Sequence, residues 1–191
     1  MARRRLHRRP SWDKGALAGA VGGLVGSWTM NRFQALLSQA TKKPAEQSEE
    51  KPRQQQPARE EDGDATQKIA SRLARAALGR ELTRHERAVA GPIVHYAFGS
   101  LSGGIYGAAA ELFPRISKGF GLPFAAVLWV AADEAAVPAL GLSRPAVDYP
   151  LSSHLSALAA HAVYGITTEL VRRVVRSTLA GRGVTGRTFF Q

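Results

Sequence analysis

The chain has 191 residues, no cysteine and a formal net charge of +11. That length suits one domain or one bundle of helices, and the missing cysteines exclude disulfides, thiolate catalysis and Cys-ligated metal. A basic chain points to nucleic acid or to anionic lipid. Here the arginines crowd the two ends, as MARRRLHRR at 1–9 and RRVVRSTLAGRGVTGR at 172–187, and leave the long apolar stretches between them nearly bare.

A basic tail, 1–14, leads into a first predicted transmembrane helix at 15–38, free of charge from Gly15 to Asn31. Gly15, Gly19 and Gly23, with Ala18, Gly22 and Gly26 beside them, recur in steps of four. In water so much glycine costs helix stability; in lipid it permits the close backbone contact that holds helices together. The basic start and Ser38-Gln39-Ala40 also resemble a cleavable signal, but three further apolar segments favour a retained anchor.

The segment 39–65 is polar, with neither aromatic nor branched aliphatic residues between 41 and 65, and is expected to be disordered. An amphipathic surface helix is predicted over 66–90. Ile69, Leu73, Ala76 and Ala77 form its narrow apolar face, and Lys68, Arg72 and Arg75 flank it. Such a helix suits an anionic membrane surface, and equally a solvated cover over the bundle.

A three-helix transmembrane core follows at 91–176, with spans at 92–113, 119–140 and 152–171, before a basic tail at 177–191. Each span has about the 20 residues needed to cross about 30 Å of hydrocarbon. Gly99, Gly103 and Gly107 repeat the step of four. The expected fold is therefore all-α: a polytopic membrane bundle of about four transmembrane helices, plus the surface helix after a disordered loop. The competing reading is a soluble helical bundle, because the spans are rich in Ala and Gly rather than Leu. The loop 141–151 carries only Arg144, whereas the tails and the 114–118 loop are basic, so both termini are expected in the cytoplasm.

Two stretches carry a family resemblance: HYAFGSLSGGIYGAAAELFPR at 95–115, and WVAADEAAVPALGLSRPAVDYPLSSHLSALAAHAVYGITTELVRR at 129–173. Together they resemble the YagU-like family of bacterial inner-membrane proteins. The resemblance covers roughly 92–176 and implies a multi-pass protein of the bacterial inner membrane. It implies no reaction, substrate or cofactor. The family favours His-Glu where this chain has Asp133-Glu134, so a role resting on that histidine does not carry over.

Ionisable groups inside membrane helices usually face the bundle interior or a water-filled cavity. Measured at about 1.5 Å per residue, Asp133 and Glu134 lie roughly 10 Å from the end of the third span, and His161 lies roughly 13 Å inside the fourth. Asn31 lies roughly 10 Å from the end of the first span and His95 roughly 5 Å inside the second. Because the helices alternate in direction, these residues share one leaflet, the outer one on this orientation. His154, His161 and Thr168 make one stripe, as do His95, Ser102 and Tyr106. Asp133 and Glu134 sit about 100° apart on an α-helix, so one is expected to meet a histidine while the other snorkels or makes a second contact.

Three readings of this layer stay open. It can be an interhelical packing layer. It can be a proton-responsive cluster, since histidine changes charge near neutral pH. It can hold a metal, with His95, His161 and Asp133 or Glu134 as the donors; His154 and His161, about 10 Å apart along their helix, cannot share one ion. Tyr106-Gly107 to Arg115 (YGAAAELFPR) and Tyr164-Gly165 to Arg173 (YGITTELVRR) repeat a phrase. Its charged members, Glu111, Arg115, Glu169, Arg172 and Arg173, are expected to anchor the inner face.

No nucleophile elbow or phosphate loop occurs. The basic tails lack the interleaved aromatics of a nucleic-acid interface, so anionic lipid is the expected partner, and Gly-rich faces suit self-association. The functional expectation is a pH- or stress-responsive permeation or sensing element that is not an enzyme. The alternative is a membrane-embedded metal-binding protein or enzyme using the same residues. The sequence identifies no cofactor.

Overall fold

The computed structural model describes residues 11–41 and 64–185. Helices α1 (Trp12–Thr41), α2 (Ala65–Leu78) and α3 (Arg84–Leu112) come first in chain order. They are followed by α4 (Leu122–Ala139) and α5 (Leu151–Thr185). Single helical turns at Pro114–Ser117 and Ala146–Asp148 lie in the connections, and no strand occurs among the described residues. The all-α expectation holds. The predicted disordered segment and both extreme tails fall mostly or wholly outside the described residues.

Glycine sets how the long helices meet. A Cβ built on Gly15 would strike the carbonyl of Gly107, one on Gly19 that of Gly103, and one on Gly23 that of Gly99. The three pairs descend α3 as they climb α1, so the two helices are antiparallel with their backbones in contact. A neighbouring face of α1 does the same against α5, where Gly22 and Gly26 meet Thr168 and Tyr164. Gly121, at the start of α4, meets Gly165 of α5. Thus α1 and α4 run one way, α3 and α5 the other. These glycine contacts of α1, α3 and α5 are all made within one chain.

With the helices this close, little room remains for large side chains inside. The buried apolar set is mostly alanine, joined by Met30, Tyr106, Leu142 and Tyr164, while Ser27, Ser102, Thr168, Glu169 and Arg172 are buried polar residues. The large aliphatics point outward instead. Leu24 on α1, Leu101 on α3, Val127 on α4 and Leu170 on α5 are all about half exposed or more. Among the described residues one helix, Leu122–Ala139, is long and apolar enough by itself to cross a membrane, and only 6% of that window is buried. Helices α1 and α3 carry glycine where a typical membrane helix carries leucine, which lowers their hydropathy.

The expected helix over 66–90 is two pieces. Gly79, in the left-handed conformation (φ 67°), closes α2 by donating its N–H to the Arg75 carbonyl. Thr83 then opens α3 with a capping box: its hydroxyl accepts from the Glu86 N–H at 3.2 Å, and the Glu86 carboxylate accepts from the Thr83 N–H at 2.8 Å. On α2 the buried positions are Ala70 and Ala74, whereas Leu73 and Leu78 are exposed. The buried face is thus offset from the predicted one, because only alanine fits against α3.

The capping box carries a pH dependence. Two hydrogen bonds from Arg80 (3.0 and 2.7 Å), then the Thr83 N–H, pull the Glu86 carboxyl down from 4.5 to about 2. A depressed carboxyl stabilises the fold above its unfolded value and loses that contribution as pH falls through the folded one. Amide protection factors at 84–87, that is, exchange rates corrected for their intrinsic pH dependence, are therefore expected to stay flat above pH 5 and to fall between pH 4.5 and 2, with Glu86→Gln removing the step.

Candidate functional site

Polar side chains gather at both ends of the four-helix core, in two layers of different character.

The first layer lies where α4 approaches the start of α5. Helix α4 is α-helical to Trp129, widens to a π-helix over Val130–Ala136, and returns to α at Val137. The π segment holds both Asp133 and Glu134. A π-turn advances less angle per residue than an α-turn, so two neighbours diverge less and both can face α5. Each meets a different histidine. Glu134 lies 2.7 Å from His154 Nδ1, and Asp133 lies 3.7 Å from His161 Nδ1. Of the two outcomes expected for the second carboxylate, snorkelling or a second contact, the structure has the second contact.

Hydrogen-bond logic assigns protons. His154 Nε2 faces the Ala146 carbonyl at 3.1 Å while Nδ1 faces the Glu134 carboxylate. With Glu134 ionised, both partners are acceptors, and both ring nitrogens can donate only in the imidazolium form. His161 is buried, and its Nδ1–H donates to the Ala157 carbonyl one turn back at 3.0 Å. His95 is within electrostatic reach of Asp133 and His161, and its Nε2 is buried without a hydrogen-bond partner. Asn31 sits at the same end but pairs with Tyr96, donating to its hydroxyl at 3.4 Å. Ser102 is buried on α3. Among the described residues no three His, Asp or Glu side chains converge closely enough to hold a metal ion.

The second layer, at the other end, is built from the repeated phrase. Glu169 is fully buried and accepts four hydrogen bonds. Tyr106 Oη donates at 2.9 Å, Arg172 donates through Nε at 2.7 Å and Nη2 at 3.0 Å, and Arg173 Nε donates at 2.6 Å. Glu111 receives Arg176 in bidentate fashion at 2.7 and 3.0 Å, and Arg172 Nη1 lies 3.9 Å away, so Arg172 links the two carboxylates. Arg176 also donates to Ser11 Oγ at 2.7 Å, and Arg173 to the Ser117 carbonyl at 3.3 Å. The two copies of the phrase are not equivalent: Tyr106 reaches Glu169 across the bundle, whereas Tyr164 donates to the Gly99 carbonyl at 2.6 Å. Phe124 stacks on the Tyr106 ring at 4.3 Å and closes the layer from α4. Arg115 is exposed.

Three contributors escape the sequence reading. Arg176 was readable, since Glu169, Arg172, Arg173 and Arg176 follow the i, i+3, i+4, i+7 stripe of one helix face. Phe124 and Tyr96 carry no such signal, because an aromatic in an apolar helix is ordinarily a packing residue.

No curated protein and no solved structure matches this chain. A family model described as protein of unknown function (DUF1440) matches residues 57–170. The match takes in α2, α3, α4 and most of α5, with His95, Asp133, Glu134, His154, His161, Glu111 and Glu169. It leaves out α1 and the arginines at 172, 173 and 176. Covering more than half of the chain, it shows that the protein belongs to the DUF1440 family, whose function is unknown.

Proposed function

We propose that this is a multi-pass protein of the bacterial inner membrane, with α1, α3, α4 and α5 all crossing the bilayer and both termini in the cytoplasm. The inverted side-chain distribution carries this reading. Large aliphatics cover the outside of all four helices, while glycine, alanine, hydroxyls and charge fill the inside. Water would penalise that arrangement, since apolar patches of this extent are rare on soluble monomers; lipid favours it. The alternating helix directions and the YagU-like resemblance support the same reading. Anionic lipid is the natural partner of the basic tails.

Within that bilayer the protein acts as a proton-responsive permeation or sensing element. Two histidine–carboxylate pairs link the π segment of α4 to α5. Loss of a proton from His154 would leave a ring nitrogen facing an acceptor, which weakens the α4–α5 contact at that end. Trp129, adjoining the π segment, is a built-in reporter. In a Trp12→Phe/Trp28→Phe background its emission is expected to titrate between about pH 5 and 8. His154→Gln and His161→Gln should each shift or abolish that titration. Emission that ignores pH, or curves unchanged from the parent in both variants, would reduce the layer to packing.

A further inference from the structure

We propose that α2 is a hinged lid that controls the access of water to the layer of His95, Asp133 and His161; the inference rests on the reading of that layer as a proton-responsive element. Helix α2 bridges the two helices that carry His95 and Asp133. A Cβ on Gly91, one turn before His95 on α3, would stand 2.7 Å from Gln67 Cγ and 3.3 Å from Thr66 Oγ1. Asp64, which caps α2, is within electrostatic reach of His95, whose Nε2 is buried. On the other side Arg72 Nη1 donates to the Leu140 carbonyl, just past the end of α4, at 2.8 Å.

The helix is built as a separate rigid unit. Asp64 Oδ1 accepts from the Gln67 N–H at 2.9 Å at one end, and Gly79 donates to the Arg75 carbonyl at 3.1 Å at the other. Helix α3 begins afresh with its own capping box at Thr83. Neither helix needs the other to satisfy its end groups, so α2 can swing about Gly79–Thr83 without unravelling either one. The ion pairs that brace the joint, Arg75–Glu81 and Arg80–Glu86, are exposed to water, where such pairs hold little.

Its seat is weak beside the glycine-paired core. The buried residues of α2 are Ala70 and Ala74, so little apolar area leaves water when it docks. Ser71 Oγ is buried without a hydrogen-bond partner in the seated position; opening returns it to water and offsets part of what is lost. Arg72 supplies the latch to the α4 side. Elements with few buried apolar contacts open more readily than the core around them. Seated, such a lid keeps water from the layer; raised, it admits water and the protons that water carries.

The test uses the full chain in nanodiscs and the rate at which diethyl pyrocarbonate modifies His95, read by peptide mass spectrometry at one pH. Exposed His85 is the internal standard. The chain has no native cysteine, so Gln67→Cys/Gly91→Cys places two thiols close enough for a disulfide that holds α2 down. The oxidised tether is expected to slow His95 about tenfold or more against the parent, with reduction restoring the rate. Arg72→Gln releases the latch and should raise the rate about fivefold; it serves alone if the double variant fails to fold. Equal His95 rates in the parent, the oxidised tether and Arg72→Gln overturn the proposal. The Trp129 titration fails separately: tether-dependent reactivity with emission that ignores pH keeps the lid and removes the proton response, and the opposite pair of results removes the lid alone.

Discussion

Glu169→Ala is expected to destabilise the protein by about 3–5 kcal/mol, the cost of leaving a buried charge without its partner. Glu169 is wholly inaccessible, and Arg172 beside it is nearly so. Removing the carboxylate strands Arg172 and the Tyr106 hydroxyl, while half-exposed Arg173 keeps water and the Ser117 carbonyl. The residual attraction of Glu111, 3.9 Å from Arg172, is too distant for a hydrogen bond and replaces little of this. The double variant Glu169→Leu/Arg172→Leu should cost markedly less than the sum of the two single changes, because no orphan charge remains. Thermal unfolding of the four proteins in one detergent gives the comparison. An additive cycle would show that the layer is solvated rather than buried.

The second large effect comes from one methyl group placed on either of two adjacent glycines. A Cβ at Gly103 would stand 2.8 Å from the Cα of Gly23 and nearer still to the Gly19 carbonyl. These are backbone atoms that cannot rotate away, so Gly103→Ala must push α1 and α3 apart. Overpacking of this kind costs about 1–3 kcal/mol, and the outcome here should lie at the upper end because the separation propagates to the Gly15 and Gly23 contacts. Its neighbour Gly104 is different: the nearest atoms to a new Cβ are the Ala16 carbonyl at 3.4 Å and the Ala20 methyl at 3.6 Å. Gly104→Ala should be neutral, or stabilising by up to about 1 kcal/mol through helix propensity. Opposite signs at consecutive positions are hard to produce by any cause except the backbone contact. Equal effects in thermal unfolding would remove the glycine pairing from the account.

The sequence states which helices are present more clearly than how they meet. Steps of four at Gly15, Gly19, Gly23 and at Gly99, Gly103, Gly107 are visible in the chain. That they face one another in register depends on distances between helices, which no local pattern encodes. The break at Gly79–Thr83 was legible, since Gly79 is a helix stop and Thr83-x-x-Glu86 is a start signal. The strong run of cations and leucines around it hid the boundary. The π segment of α4 lay beyond reach, because periodicity arguments assume the α-helical angle, and on that assumption Asp133 and Glu134 cannot both turn to α5. Depth put His161 level with Asp133 and Glu134, but did not say which carboxylate meets which histidine. The pairing of Asn31 with Tyr96 was not, because depth does not specify direction around the helix axis.

The second polar layer shows the converse. Repetition in the chain drew attention to Tyr106, Glu111, Tyr164 and Glu169, and the structure assembles three of the four into one charged cluster. The tyrosines diverge because Tyr164 lies level with the α1–α3 glycine contact, where the nearest acceptor is the Gly99 carbonyl. Identical phrases on parallel helices therefore do different work once a third helix, α1, packs between them.

The central claim is that four helices, rather than α4 alone, face lipid. The chain has no native cysteine, so single spin labels can be placed through Leu24→Cys, Leu101→Cys, Val127→Cys and Ile166→Cys, one outward position on each long helix. Collision with oxygen, which concentrates in the bilayer, is then compared with collision with a water-soluble nickel complex in reconstituted protein. The account predicts oxygen-dominated accessibility at all four positions. Nickel-dominated accessibility at Leu24, Leu101 and Ile166, with oxygen dominating at Val127 only, would contradict it.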